Sequence, residues 1–179
     1  VMGDSAISLY AVFKKDIKVT YYNNSTTAAT STKQAYYNNG NVSNPSFTLT
    51  QAARSGWTAR GWSTGTAGNS AISYNNGAAF TRDSNVTLYG MYQQTITLSY
   101  NGNGATSGST ASHTGTRYYN SGKNVAVNPT FTLRANGFAK TDYKFTKWAL
   151  SSTSGTQYVA GASVTLSANT TFYACWEPT

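Results

Sequence analysis

Asp83-Ser84-Asn85-Val86-Thr87-Leu88-Tyr89-Gly90-Met91-Tyr92 decides how this chain folds, because it is written more than once. It returns as Ser167-Ala168-Asn169-Thr170-Thr171-Phe172-Tyr173-Ala174-Cys175-Trp176, and it stands near the start as Asp4-Ser5-Ala6-Ile7-Ser8-Leu9-Tyr10-Ala11-Val12-Phe13. Tyr10, Tyr89 and Tyr173 lie 79 and 84 residues apart. A near-constant period makes the repeat the unit of folding. This period exceeds that of solenoid repeats, so each copy is expected to bury a core of its own. The expected division is a closing strand of a preceding, truncated repeat over 1–15, a first full repeat over 16–94 and a second over 95–179. Val1 falls inside a repeat, so the chain reads as a piece of a longer protein.

Working outward, the two full copies align strand by strand. Ile17-Lys18-Val19-Thr20-Tyr21 matches Ile96-Thr97-Leu98-Ser99-Tyr100. Both alternate apolar and polar residues, the period of a strand with one buried face. Each runs into an Asn-, Gly- or Ser-rich turn and then a second strand ending in Tyr36-Tyr37-Asn38-Asn39-Gly40 or Tyr118-Tyr119-Asn120-Ser121-Gly122, which together predict a β-hairpin. Next come Asn44-Pro45-Ser46-Phe47-Thr48-Leu49 and Asn128-Pro129-Thr130-Phe131-Thr132-Leu133. The stretches 50–55 and 134–137 that follow are predicted to form one or two helical turns, with Thr50 as an N-cap. The third strand carries Trp57…Trp62 or Phe145…Trp148. Period two cannot place Phe145 and Trp148 on one face, so a β-bulge is expected near Gly61 and Lys147.

In the closing strand the core face is expected to be Val86, Leu88, Gly90 and Tyr92, or Thr170, Phe172, Ala174 and Trp176. The small central residue would make room for Trp62 or Trp148. The opposite face bears Tyr89 and Met91, or Tyr173 and Cys175, and is more apolar than a solvated face should be. The first fifteen residues form a lone apolar strand, which needs a sheet to join.

Composition narrows the class. Only 10% of residues are charged, and Asn, Ser, Thr, Gly and 14 tyrosines carry the solubility instead, which suits half-buried strands and not disorder. Thirteen Lys and Arg against five Asp and Glu give +8, an attraction for polyanions. A single cysteine, Cys175, excludes an internal disulfide, and no apolar run reaches membrane-spanning length.

An aromatic three residues before Trp (Phe145…Trp148), the Asn101-Gly102-Asn103-Gly104 turn, the prolines Pro45 and Pro129 before a short turn, and the terminal Leu-Tyr-x-x-aromatic strand resemble the Listeria–Bacteroides repeat, the internalin B-repeat type of module. The resemblance covers nearly the whole chain. It implies tandem small β-grasp, ubiquitin-like units, a mostly β or α+β class with about four strands and a short helical turn each. It also implies a secreted or wall-attached bacterial protein serving spacing or adhesion, with no catalytic residues. Two positions depart from the pattern: Lys147 replaces glycine in the Gly-Trp pair that survives as Gly61-Trp62, and Val12, Met91 and Cys175 stand where a charged residue usually precedes the last aromatic.

Chemistry has few candidates. There is one histidine, His113, and the five acids are spread so that no two are placed to share a site. Metal ligands at close spacing are absent from the sequence, the Gly-rich turns lack the Lys-Ser/Thr of a phosphate loop, and no cofactor is expected. Binding is the open question. Outward rings of the tyrosine doublets, Tyr22, Tyr37 and Tyr119, are candidates for stacking on sugars. Tyr89 and Met91 are candidates for a protein partner or an inter-repeat contact, and Lys14, Lys15 and Lys18 for an anionic wall polymer. Host or cell-wall glycans, such a polymer or a surface protein are the expected partners, with no specific nucleic acid.

Overall fold

The computed structural model describes residues 6–152 and 154–179. It divides into two compact units, one made of residues 1–92 with 119–125 and the other of 93–118 with 126–179. Residues 119–125, which the sequence reading assigns to the second repeat, thus belong to unit 1.

Unit 1 contains β1 (Val12–Tyr22), β2 (Ala29–Asn38), β3 (Asn41–Ser43), β4 (Ser46–Thr48), β5 (Thr58–Ser63), β6 (Ala79–Thr81) and the first half of β7 (Val86–Asn101). The order across its sheet is β3-β2-β1-β7-β5. β1 and β2 are antiparallel from Val12↔Asn38 to Tyr21↔Ala29, whereas β1 and β7 are parallel from Val19↔Val86 to Tyr22↔Tyr89. β4 and β6 form a separate ribbon that pairs Phe47 with Phe80.

Unit 2 repeats the plan. Its elements are the second half of β7, β8 (Ser107–Gly108), β9 (His113–Asn120), β10 (Val125–Val127), β11 (Thr130–Thr132), β12 (Phe138–Ala139), β13 (Tyr143–Ala149), β14 (Gln157–Tyr158), β15 (Ser163–Thr165) and β16 (Thr170–Pro178). The last residues of β9 and the first of β10 fall in the 119–125 segment of unit 1. β16 runs parallel to β7 from Thr170↔Leu98 to Tyr173↔Asn101, and antiparallel to β13. The β11–β15 ribbon pairs Phe131 with Val164, as β4–β6 does in unit 1, and β8 pairs with β12.

The alternation read from the sequence builds two matching cores. Ile17, Val19, Phe47, Leu49, Trp62 and Leu88 are clustered in unit 1; Ile96, Leu98, Phe131, Leu133, Trp148 and Phe172 take the same places in unit 2. Burying each such side chain is worth roughly 1.5–3 kcal/mol before chain entropy is counted. Trp62 and Trp148 are both 0% exposed. The Trp62 indole N–H donates to the Leu49 carbonyl at 3.0 Å and that of Trp148 to the Arg134 carbonyl at 2.9 Å. Tyr21 meets Trp62 edge-on at 5.8 Å, and Tyr100 lies 4.7 Å from Trp148. The Asn that both full copies carry in the opening motif also has one job in both. Asn85 Oδ1 accepts the Lys18 backbone N–H and Asn169 Oδ1 that of Thr97, each at 2.8 Å, fastening the closing strand to the opening one.

Several expectations need correction. No helix occurs among the described residues, so the units are all-β and the helical turns at 50–55 and 134–137 do not form. In unit 1 the reason is visible: the backbone groups of 50–53 are spent on distant side chains. Asn23 donates to the Thr50 carbonyl and accepts from Ala52 N, Asn24 donates to the Ala53 carbonyl, and Asn76 accepts from Gln51 N. Side chains thus hold the Thr50 and Ala53 carbonyls and the Gln51 and Ala52 N–H groups in a non-helical path, and Thr50 caps no helix. The expected bulge is present in unit 2, where pairing jumps from Phe145↔Trp176 to Lys147↔Cys175, and it brings the Phe145 and Trp148 rings to 4.9 Å. Gly90 is closely approached by groups the expectation did not include. A Cβ there would meet Tyr22 O at 3.0 Å, Ser121 Oγ at 3.1 Å and Gln51 Nε2 at 3.3 Å, so the missing side chain admits Gln51 and the 119–125 segment. Of the expected N-terminal closing strand, residues 1–5 lie outside the described residues and 6–11 are in no strand, with Ile7 84% and Leu9 90% exposed. Of that range only residues 12–15 join the sheet, as the first residues of β1.

Candidate interaction surface

Ala35 is the last buried residue of β2, and beyond it both sides of the strand are open. The doublet Tyr36-Tyr37 therefore does not split into one core ring and one outer ring: both side chains are exposed. Across the β1–β2 ladder Phe13 pairs with Tyr37 and Lys14 with Tyr36, and on the other side of β2 Tyr37 pairs with Val42 of β3. The Phe13 and Tyr37 rings lie 6.3 Å apart. With Lys14, Lys15 and Asp83 these residues line an open cleft of about 220 Å³. Lys15 Nζ reaches the Asp83 carbonyl at 3.3 Å, and Tyr36 O–H donates to Gln34 Oε1 at 2.9 Å. A serine hydroxyl bonded to Asp83 holds that carboxyl below its usual range, with Arg82 and Lys15 adding to the effect, so it stays charged beside the two lysines. The result is an apolar, ring-lined surface with cations on its rim.

Three of the eight sequence candidates, Tyr37, Lys14 and Lys15, converge here. Lys18 does not: it lines a separate shallow depression with Thr20, Asn85 and Thr87. Tyr89 and Met91 are buried, which removes both from any free surface. The 119–125 segment covers Tyr89. Tyr89 is stacked on Tyr22 at 5.1 Å with Lys123 over its other side at 5.2 Å, so Tyr22 also spends its ring face internally. Tyr119 is half-buried; the Arg54 guanidinium lies 4.1 Å from its ring and its O–H donates to Asn124 at 2.8 Å. The reading of residue types missed Phe13 and Val42. Phe13 aligns with Tyr92 and Trp176 on the core face of the closing strands, and only the absence of a covering layer, which no local pattern reports, leaves it exposed.

His113 belongs to unit 2. Its Nε2 is 3.2 Å from Tyr100 O–H, and its ring stacks on Tyr100 and meets Phe131 edge-on. Burial, and then the Arg134 charge, push the imidazole pKa below its ordinary 6.5. The neutral form is therefore favoured by folding. Its contribution to stability is complete above about pH 6.5 and is lost as pH falls through the lowered value. In urea titrations between about pH 7.5 and about pH 5, the midpoint of unit 2 is expected to drop, and His113→Gln is expected to flatten that drop. An unchanged pH slope in the variant would show that another group titrates.

Among the described residues no three His, Cys, Asp or Glu side chains are grouped to hold a metal ion, and no helix is long and apolar enough to cross a membrane. Cys175 is half-exposed and burial pushes its thiol pKa up. What the two units define is a class of all-β tandem repeat whose parallel opening and closing strands enclose one buried tryptophan. The Listeria-Bacteroides repeat domain matches residues 18–90 and again 97–175, so the chain belongs to that family. No curated protein and no solved structure matches it.

Proposed function

We propose that this chain is a non-catalytic tandem-repeat region of a bacterial cell-surface or secreted protein, acting as a spacer that displays and attaches what it carries. Each unit is read as a β-grasp that has lost its helix, the first repeat spanning 16–94 and the second 95–179. One observation carries the reading: both repeats devote the same positions to the same buried cluster around Trp62 and Trp148, while membership in the family supplies the setting. Duplicating a core without duplicating any reactive constellation suits reach and valency. An antibody raised against the chain is expected to label intact, unpermeabilised cells of the source bacterium or to find the protein in its medium. Confinement of the antigen to the cell interior would overturn the reading.

The cleft at Phe13, Tyr36 and Tyr37 favours adhesion through acidic polysaccharide as the second reading, because exposed rings stack on sugar faces and Lys14 and Lys15 offer charge. In the same set of measurements, co-sedimentation with purified anionic wall polymer should weaken with added salt and with Tyr37→Ala. Binding indifferent to both would leave spacing and display alone.

A further inference from the structure

The closing strand of unit 1 is capped by a hairpin tip, and the corresponding end of unit 2 is open. In unit 1 the tip Tyr119-Asn120-Ser121-Gly122 lies across the end of the closing strand. Asn120 and Ser121 are fully buried. Asn120 Nδ2 donates to the Gly65 carbonyl at 3.2 Å, while the Ser121 backbone N–H and hydroxyl both donate to the Gly90 carbonyl, at 3.1 and 3.0 Å. Gly122 packs so closely that a Cβ would lie 2.6 Å from atoms of Tyr22 and Tyr89. In this capped strand Met91 is 0% exposed.

In unit 2 the residues equivalent to Ser63, Gly65, Met91 and Tyr92 are Ala149, Ser151, Cys175 and Trp176. These four line an open cleft of about 240 Å³. Its floor is already prepared. Asn103 Nδ2 donates to the Ala174 carbonyl, the counterpart of Gly90 O, at 3.0 Å. Ala174 carries a methyl where Gly90 has none; Ala135 in place of Gln51 removes one of the three close contacts a Cβ meets there, and the docked tip has to shift by a few tenths of an ångström to clear the methyl.

We propose that this cleft is a docking site for the hairpin tip, Tyr-Asn-Ser/Asn-Gly, of a further repeat of this family continuing from β16. The source follows from chain register. Glu177, Pro178 and Thr179 stand where Gln93, Gln94 and Thr95 stand in β7, so a repeat joined there shares its opening strand with β16, as Val86–Asn101 is one unbroken strand. A separate copy of the chain would instead bring Val12 and Phe13 to the positions that Cys175 and Trp176 occupy. The same Tyr-Asn-x-Gly sequence at Tyr37-Asn38-Asn39-Gly40 shows that the tip is a property of the repeat. The inference holds whatever the repeats display, and its failure would leave the surface-spacer reading untouched.

Cys175 is the chain's single thiol and reports the cap directly. The rate of its reaction with an aromatic disulfide is compared between the 179-residue chain and one extended by residues 96–179 directly after Thr179, with Cys175→Ala in the added copy. The extended chain should react roughly 10-fold or more slowly, and Gly122→Val in the added copy should restore the rate. Equal rates in both chains, with near-UV circular dichroism showing the added repeat folded, would overturn the proposal. A second arm stays within the 179-residue chain: Met91→Cys with Cys175→Ala should be protected, and Gly122→Val should expose it. A Met91→Cys thiol as reactive as Cys175 would equally overturn it, because the cap would then shield nothing.

Discussion

Trp62→Ala is expected to remove about 3–5 kcal/mol from unit 1, the cost of deleting a large buried ring whose surroundings relax only in part. Trp62 touches Tyr21 edge-on and lies within the cluster of Ile17, Val19, Phe47, Leu49 and Leu88, so no single neighbour can fill the space. The Leu49 carbonyl also loses one of its two donors but keeps the Gly77 backbone N–H at 2.9 Å, so this adds little to the cost. Against a domain stability of about 5–15 kcal/mol this leaves unit 1 marginal or unfolded. Trp148→Ala should cost as much in unit 2, where Tyr100, Phe138 and Phe145 surround the indole. Guanidinium denaturation followed by circular dichroism checks both. A loss under about 1 kcal/mol in either variant would mean that the tryptophan is not the centre of its core.

Gly61→Ala is expected to be strongly damaging to unit 1 for so small a substitution, at about 2–4 kcal/mol. Gly61 has φ +123°, and a Cβ there would lie 2.6 Å from the Tyr74 carbonyl oxygen and 2.9 Å from Ile72. The first obstacle is backbone, held by the Trp62 N–H···Tyr74 O bond at 2.8 Å, so it has little freedom to retreat. The melting temperature of unit 1 should fall by roughly 10 °C or more. Lys147 occupies the equivalent position in unit 2 without a positive φ, because the pairing irregularity between Phe145 and Lys147 turns the strand by other means. Lys147→Gly is therefore expected to change stability by less than about 1 kcal/mol. If both substitutions cost the same, the two units do not solve this corner differently.

These two residues also mark what the sequence made legible. Strand periodicity, the paired cores and the bulge were all readable, because each rests on side chains within a few residues of one another or on identity between copies. The helical turns were misread because the bonds that forbid them come from Asn23 and Asn24, more than two dozen residues before the groups they engage. The apolar face of Tyr89 and Met91 was correctly seen as too apolar for water, but the cover of Tyr89 arrives from 119–125, and no local pattern names a partner that distant. The surface at Phe13 and Tyr37 was half legible: the tyrosine doublet was visible, whereas its exposure depends on where the buried part of β2 stops, at Ala35. Lys14 and Lys15 were found through charge alone, and Lys18, found the same way, went elsewhere.

The parallel pairing of opening and closing strands has a mechanical consequence. In each unit the two strands that carry the chain in and out run side by side in the same direction, joined over Val19–Tyr22 with Val86–Tyr89 or Leu98–Asn101 with Thr170–Tyr173. Tension applied through the polypeptide then slides one strand along the other and loads all the bonds of the ladder together in shear. A hairpin pulled at its open end would surrender them one by one, like a zipper. Forced unfolding is governed by rate, not by equilibrium stability. A modest four-residue ladder so oriented resists pulling far beyond what its share of the folding free energy suggests.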